Sequence, residues 1–133
     1  MKELGARSVF FVRDTSRAVG FYTTTLGFSL DWTHEEEGRA FVVQVSLLGL
    51  QIILNQVELN TAERPGAGRI FLGIDEEQST ALLEHVLGRG ISVGYAHWGA
   101  PTIVMNDLDR NELFFWVPES EHAKWREANW TPP

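Results

Sequence analysis

Apolar side chains recur along this chain in two rhythms, and the switch from one to the other happens twice in the same order. Residues 7–13, RSVFFVR, carry the short apolar block of a strand. In 15–26, TSRAVGFYTTTL, the side chains Ala18, Phe21, Tyr22, Thr25 and Leu26 fall on one helical stripe, with Asp14 placed to cap its start and Gly27 to end it. Three strands are predicted next, at 28–34, 39–47 and 49–55, separated by the acidic run HEEEGR and by Gly49. The polar stretch 56–68 reads as a linker.

The order then begins again. RIFLGI (69–74) predicts a strand, and DEEQSTALLEHVLGRG (75–90) predicts a helix. Asp75 and Gln78 have capping-box spacing, and Leu82, Leu83, Val86 and Leu87 form the apolar stripe. ISVGYAH, PTIVMND and ELFFWV predict three further strands, and the tail predicts a short helix over 119–129 carrying Trp125. Individual positions support a repeat. Asp14, Leu26 and Gly27 match Asp75, Leu87 and Gly88 at one constant shift, while Ser29, Trp32 and Leu50 match Ser92, Tyr95 and Leu113 at a shift two residues longer. The extra residues fall near Arg89–Gly90, where a helix-to-strand turn tolerates insertion. One domain is therefore expected, with module one at 5–55, a linker at 56–68, module two at 69–118 and a tail at 119–133.

Composition narrows the function classes. A chain of 133 residues with 44% apolar and 22% charged side chains can bury a core and reads as neither a disordered polar chain nor a membrane span. It has no run of about 18 apolar residues and no signal-like opening, so neither a membrane partner nor secretion is predicted, and a cytoplasmic location is expected. The absence of cysteine excludes disulfides, thiolate metal sites and a cysteine nucleophile. Eleven Lys and Arg scattered among eighteen Asp and Glu, for a formal charge of −7, argue against a nucleic-acid partner.

Two stretches carry a resemblance. VFFVRDTSRAVGFYTTTLGF and WGAPTIVMNDLDRNELFFWV resemble the opening strand, Asp, helix and Leu-Gly-Phe, and then the Trp-Gly strand and Asp-Pro-Asp-Gly-Asn turn, of the vicinal oxygen chelate superfamily. This is the family of glyoxalases, bleomycin resistance proteins and extradiol dioxygenases. The resemblance implies an α+β fold in which two βαβββ modules form curved mixed sheets around a shared cleft, in a homodimer. The turn departs from the family pattern. Leu108 stands in place of Pro and Arg110 in place of Gly, which predicts either a different turn or local strain.

The resemblance also says where a metal would sit. Members that hold one place His or Gln on the first strand and Glu on the fourth strand of each module, and the matching positions here are Arg7, Gln51, Arg69 and Phe114. Guanidinium and phenyl groups offer a divalent ion no donor, so no metal and no cofactor are predicted. Because alternate strand residues share a face, Phe11 joins Arg7, Asn55 joins Gln51, Phe71 joins Arg69, and Glu112 and Trp116 join Phe114, with Trp98 near the rim. Leu113, Phe115 and Val117 face the helices instead. The predicted ligand-binding set is thus Arg7, Phe11, Gln51, Asn55, Arg69, Phe71, Trp98, Glu112, Phe114 and Trp116. The arginines need Glu112 or Asp31 as partners, or solvent.

An aromatic wall with a few polar anchors suits a small organic ligand. The resulting expectation is a metal-free binding protein resembling the bleomycin resistance proteins, sequestering an aromatic, partly polar molecule; no catalytic residue is assigned. The alternative is a metal-dependent lyase, isomerase or dioxygenase, which needs a rearranged site such as Gln51, Glu112 and His97. A third reading is an interaction module whose cleft is closed by side chains. Acidic net charge favours a cationic ligand and the arginines an anionic one.

Overall fold

The computed structural model describes residues 4–97 and 101–129, and beyond these the side chains of residues 59, 97, 101 and 129 are not described. Two compact units emerge. The first comprises residues 1–68 with 107–111, and the second residues 69–106 with 112–133.

In the first unit, β1 (Ser8–Val12) leads into helix α1 (Thr15–Gly20), which continues as a π-helical turn over Phe21–Thr25. Strands β2 (Ser29–Glu36), β3 (Arg39–Leu47) and β4 (Leu50–Gln56) complete a sheet of order β1-β4-β3-β2, parallel only between β1 and β4. Asp14 caps α1 by accepting from the Arg17 N–H at 3.1 Å. The helical stretch ends at Gly27, whose φ of 77° lets the Phe28 N–H reach back to the Tyr22 carbonyl at 2.8 Å. Phe10, Val12, Ala18, Tyr22, Leu26, Phe28, Val43, Val45, Ile52 and Leu54 form the core.

The acidic turn is shorter than predicted. His34, Glu35 and Glu36 lie in β2, and only Glu37 and Gly38, both at positive φ, make the bend. Leu48 and Gly49 repeat the device between β3 and β4. Paired positive φ angles mark type I′ hairpins, which match strand twist and fix the Glu36–Arg39 and Leu47–Leu50 registers.

The second unit repeats the plan with β5 (Arg69–Gly73), α2 (Glu76–Arg89), β6 (Gly94–His97), β7 (Pro101–Asn106) and β8 (Glu112–Trp116), in sheet order β5-β8-β7-β6. Asp75 and Gln78 cap α2 reciprocally. Its buried stripe differs from the predicted one: Leu87 is half exposed, while Ser79 is buried with Leu82 and Val86. The reason is a second neighbour. Helix α3 (Glu119–Asn129) packs on α2 and buries Trp125, whose indole Nε1–H donates to the Ser79 hydroxyl at 2.9 Å. Glu121 is also buried in α3, and the Lys124 ammonium, 2.9 Å away, lowers its carboxyl pKa.

The repeat also needs one correction. The left-handed residue closing α2 is Gly90, at φ 64°, not Gly88, so Gly27 corresponds to Gly90 and the insertion falls inside the last helical turn. Ile91 then donates its N–H to the Val86 carbonyl at 3.0 Å and buries its side chain, as Phe28 does in the first unit. This end consumes residues 91–93, so β6 starts at Gly94 rather than at Ile91. Among the described residues no helix is long and apolar enough to cross a membrane.

The polar run 107–111 lies between β7 and β8 in sequence, yet it belongs with the first unit. Asp107 is buried and accepts four hydrogen bonds: at Oδ1 from the N–H groups of Asp109 and Asn111, at Oδ2 from the Tyr22 hydroxyl and Asn111 Nδ2, all between 2.8 and 2.9 Å. Burial raises its carboxyl pKa, although the hydrogen bonds from Asn111 and Tyr22 pull the other way. The Tyr22 phenol is raised well above its ordinary value, first by burial and then by the Asp107 charge. Asp109 accepts from both the backbone N–H and Nη1 of Arg13 at 3.0 Å. The turn is thus a hydrogen-bond hub with buried Asp107, Asp109 and Asn111 at its centre.

Arg110 adopts φ 74° in this hub, so the residue that departs from the family pattern keeps the glycine conformation and carries its strain. Arg110→Gly is expected to stabilise the fold by about 0.5–1 kcal/mol, the left-handed cost less the entropy glycine brings to the unfolded chain. A higher urea midpoint for Arg110→Gly, with no gain in Arg110→Ala, is the result to look for.

Candidate functional site

Strand alternation gives each sheet one face packed on helix and one open face. In the first sheet Phe10, Val12, Val43, Val45, Ile52 and Leu54 point to the core on the α1 side. The opposite face carries Val9, Phe11, Gln51, Ile53 and Asn55. Register places Val9 beside Ile53 and Phe11 beside Asn55 across the parallel pair, and Gln44 and Val42 beside Ile53 and Asn55 on β3. Val9 is 49% exposed, Gln51 is exposed, and Phe11, Ile53 and Asn55 are half-buried.

Arg7 does not stand free on this face. Its Nη1–H donates to Gln44 Oε1 at 2.6 Å, the buried Gln44 donates through Nε2 to Asp31 Oδ2 at 2.8 Å, and Ser46 donates to Asp31 Oδ1 at 2.8 Å. Asp31 is therefore the counter-charge for Arg7, as one expectation had it, but it acts through Gln44. A polar residue between the buried Val43 and Val45 was the sequence signal for Gln44, had alternation been applied to β3 as well.

In the second sheet Leu113, Phe115 and Val117 are buried, as alternation predicted, and Arg69, Phe71, Glu112, Phe114 and Trp116 share the other face. Arg69 is spent internally. Its Nε–H donates to Glu112 Oε1 at 2.6 Å, and its guanidinium lies 5.5 Å from the centre of the Phe114 ring. Phe114, at 4% exposure, is a floor beneath that ion pair, whereas Phe71 next to it is 49% exposed and Trp116 is half-buried. Trp98 lies outside the described residues, as does the side chain of His97.

Two features of the first unit escaped sequence reasoning. Arg64, in the stretch read as a linker, holds its guanidinium 5.1 Å from the centre of the Phe11 ring. Asn55 has a buried side-chain oxygen with no hydrogen-bond partner. Neither has a periodic signal, since Arg64 belongs to no helix or strand and the satisfaction of an amide depends on neighbours distant in sequence.

The donor chemistry answers the question of a metal. At the positions where the resemblance places ligands, Arg7 is hydrogen-bonded to Gln44, Arg69 is paired with Glu112, and Phe114 has no donor atom, which leaves Gln51 alone able to coordinate. A divalent ion needs several N or O donors, so these residues do not fit one. Among the described residues no group of three or more His, Asp or Glu side chains is arranged to hold an ion.

The fold has known counterparts. The bleomycin-binding protein from bleomycin-producing Streptomyces verticillus, solved with copper(II)-bleomycin, matches with a TM-score of 0.60 at 21% identity, covering 90% of this chain and 99% of that one. An antibiotic-binding protein from Streptomyces sp. CB03234 matches at 0.56 and 23% identity, covering 89% of this chain and 99% of that one. Lactoylglutathione lyase from Agrobacterium tumefaciens matches at 0.56 and 16%, with coverage of 90% and 96%. At these identities the likeness is one of fold. No curated protein matches the chain in sequence. Residues 6–113 match the Glyoxalase/Bleomycin resistance protein/Dioxygenase superfamily, and with two sheets of the same strand order the chain belongs to that superfamily.

Proposed function

We propose that this protein binds an aromatic, partly polar small molecule on the open sheet faces, without a metal, and carries out no chemistry on it. The observation that carries the reading is the second sheet's open face: the half-exposed Phe71 and half-buried Trp116 lie beside an Arg69–Glu112 pair stacked on Phe114, where metal-holding relatives would place a ligand. Aromatic surface with a few fixed polar groups is the composition of an organic-ligand site. The fold also occurs in a protein solved with copper(II)-bleomycin, so it is able to hold such a ligand. The metal-dependent alternative would need donors other than those present at these positions. The reading includes a homodimer, on the family pattern.

Titrating the protein with a panel of glycopeptides, polyketides and aromatic acids tests it through tryptophan fluorescence. At least one compound is expected to quench saturably, with affinity unchanged by EDTA and weakened about ten-fold in Phe71→Ala and in Trp116→Leu, as for a central aromatic contact. Quenching by none of the panel, or binding abolished by EDTA, would remove the proposal.

A further inference from the structure

We infer that Arg64, Phe11 and Asn55 form a recognition point for the carboxylate of a planar aromatic ligand. This rests on the proposed binding role and adds the chemical class of what is bound.

Three arginines adjoin the open faces, and they differ in what they have left to offer. Arg69 has its Nε–H on Glu112, and the pair is electrically neutral. Arg7 is engaged with Gln44 and, through it, with Asp31. Arg64 makes no ion pair and no side-chain hydrogen bond among the described residues, and its guanidinium lies over the face of the Phe11 ring. A cation over a ring is attracted through the ring's quadrupole, and this leaves the edge of the guanidinium, with its N–H donors, unused. That edge matches a carboxylate in bidentate geometry.

Arg64 is also held in place by its backbone. Its N–H donates to the Thr61 carbonyl and its carbonyl accepts from the Ala67 N–H, at 2.9 and 3.0 Å, and the following Pro65 is buried. The side chain thus projects from a fixed turn.

The neighbour of Phe11 supplies the second donor. Asn55 is its register partner on β4 and shares its face. The Asn55 side chain makes no hydrogen bond among the described residues, and its Oδ1 is the buried end of the amide, so the group offered to a ligand is the Nδ2 donor. The unpartnered Asn55 Oδ1 is buried, so the groups facing a ligand here are donors, which select an anionic or carbonyl edge over an ammonium. The rest of the patch is apolar, with Val9 half exposed and Ile53 beside it, and receives a flat ring. The net charge of −7 does not oppose this, since distant surface charges are screened beyond about 8 Å at physiological ionic strength.

The test uses three probes sharing one ring system: 2-naphthoate, 2-naphthamide and 2-naphthylmethylamine. Each is titrated into the isotope-labelled full chain and followed by NMR at the Asn55 side-chain NH2, the Arg64 Nε–H and the tryptophan indoles. Naphthoate is expected to bind about five-fold more tightly than the amide, the scale of an exposed ion pair, and the amine most weakly. The preference for naphthoate should vanish in Arg64→Ala, return in part in Arg64→Lys, and fall with added salt, while the backbone spectrum shows that each variant is folded. A carboxylate preference that survives Arg64→Ala overturns the inference. So does binding without charge preference that perturbs only Trp116, a result that leaves the broader binding role standing. Failure of all three probes overturns the inference too, and the broader role is then judged by its own compound panel.

Discussion

Asn111→Ala is expected to lower the unfolding free energy by about 3–5 kcal/mol, because one fully buried side chain satisfies four backbone and carboxylate groups. Asn111 is fully buried. Its Oδ1 accepts from the N–H groups of Gly66 and Gly68 at 3.1 and 2.9 Å, and its Nδ2 donates to the Phe11 carbonyl at 3.1 Å and to Asp107 at 2.9 Å. Alanine leaves each of these groups short of a partner. A Cβ on Gly68 would lie 2.8 Å from Asn111 Oδ1 and 2.6 Å from the Phe10 ring, which is why the backbone approaches so closely there only as glycine.

A second substitution separates hydrogen bonding from shape. Asn111→Asp keeps the outline but turns the Nδ2 donor into an acceptor facing the Phe11 carbonyl and Asp107. Two buried carboxylates then compete for one proton, and the folded state holds it more tightly than the unfolded chain does. Burial already raises the Asp107 pKa in the native protein, so its sign is the same: the stability contribution is full below the unfolded value and is lost as pH rises through the folded one. Asn111→Asp should therefore be more stable at pH 5 than at pH 7.5, relative to the native chain. Urea midpoints at the two pH values check it. A loss under about 1 kcal/mol in Asn111→Ala would mean that the hub is dispensable.

The other large effect is expected at Trp125. Among the described residues it is the largest fully buried side chain, at 0% exposure, and Trp125→Ala should cost about 3–5 kcal/mol through lost burial and the cavity left behind. Its indole N–H bonds Ser79, whereas its carbonyl accepts from the Tyr95 hydroxyl at 3.0 Å, a bond that survives substitution. Trp125→Phe keeps most of the packing and should cost about 1–2 kcal/mol, for one hydrogen bond and a smaller ring. The buried indole is expected to emit to the blue of the exposed Trp32, and both variants should lose that emission. Equal destabilisation by alanine and phenylalanine would show that packing at Trp125 is not what holds α3 on α2.

Much of this protein was legible in sequence because the rules involved are local. The two βαβββ series, the caps at Asp14 and at Asp75 with Gln78, and the tail helix all depend on separations of four residues or fewer, which periodicity and turn chemistry report directly. Alternation likewise placed Leu113, Phe115 and Val117 in the core and Arg69, Phe71, Glu112 and Trp116 on the other face. The resemblance located the metal positions, and the side chains there, Arg7, Gln51, Arg69 and Phe114, carry too few donors for an ion.

What only the tertiary structure decided are the pairings across long stretches of chain. Tyr22 meets Asp107 across 85 residues, Arg13 meets Asp109 across 96, and Phe11 meets Asn111 across 100. These bonds make the Asp-Leu-Asp-Arg-Asn run, read from sequence only as a turn, into a buried hub. Ser79 replaced Leu87 on the buried stripe because Trp125 of α3 arrives from 46 residues further along. Arg64 came to rest on Phe11 because a turn between two modules aims it there. Local pattern says which face of an element is apolar, whereas the partner of a polar group is set by where the chain returns, and a free cation differs from a neutralised one only through that return.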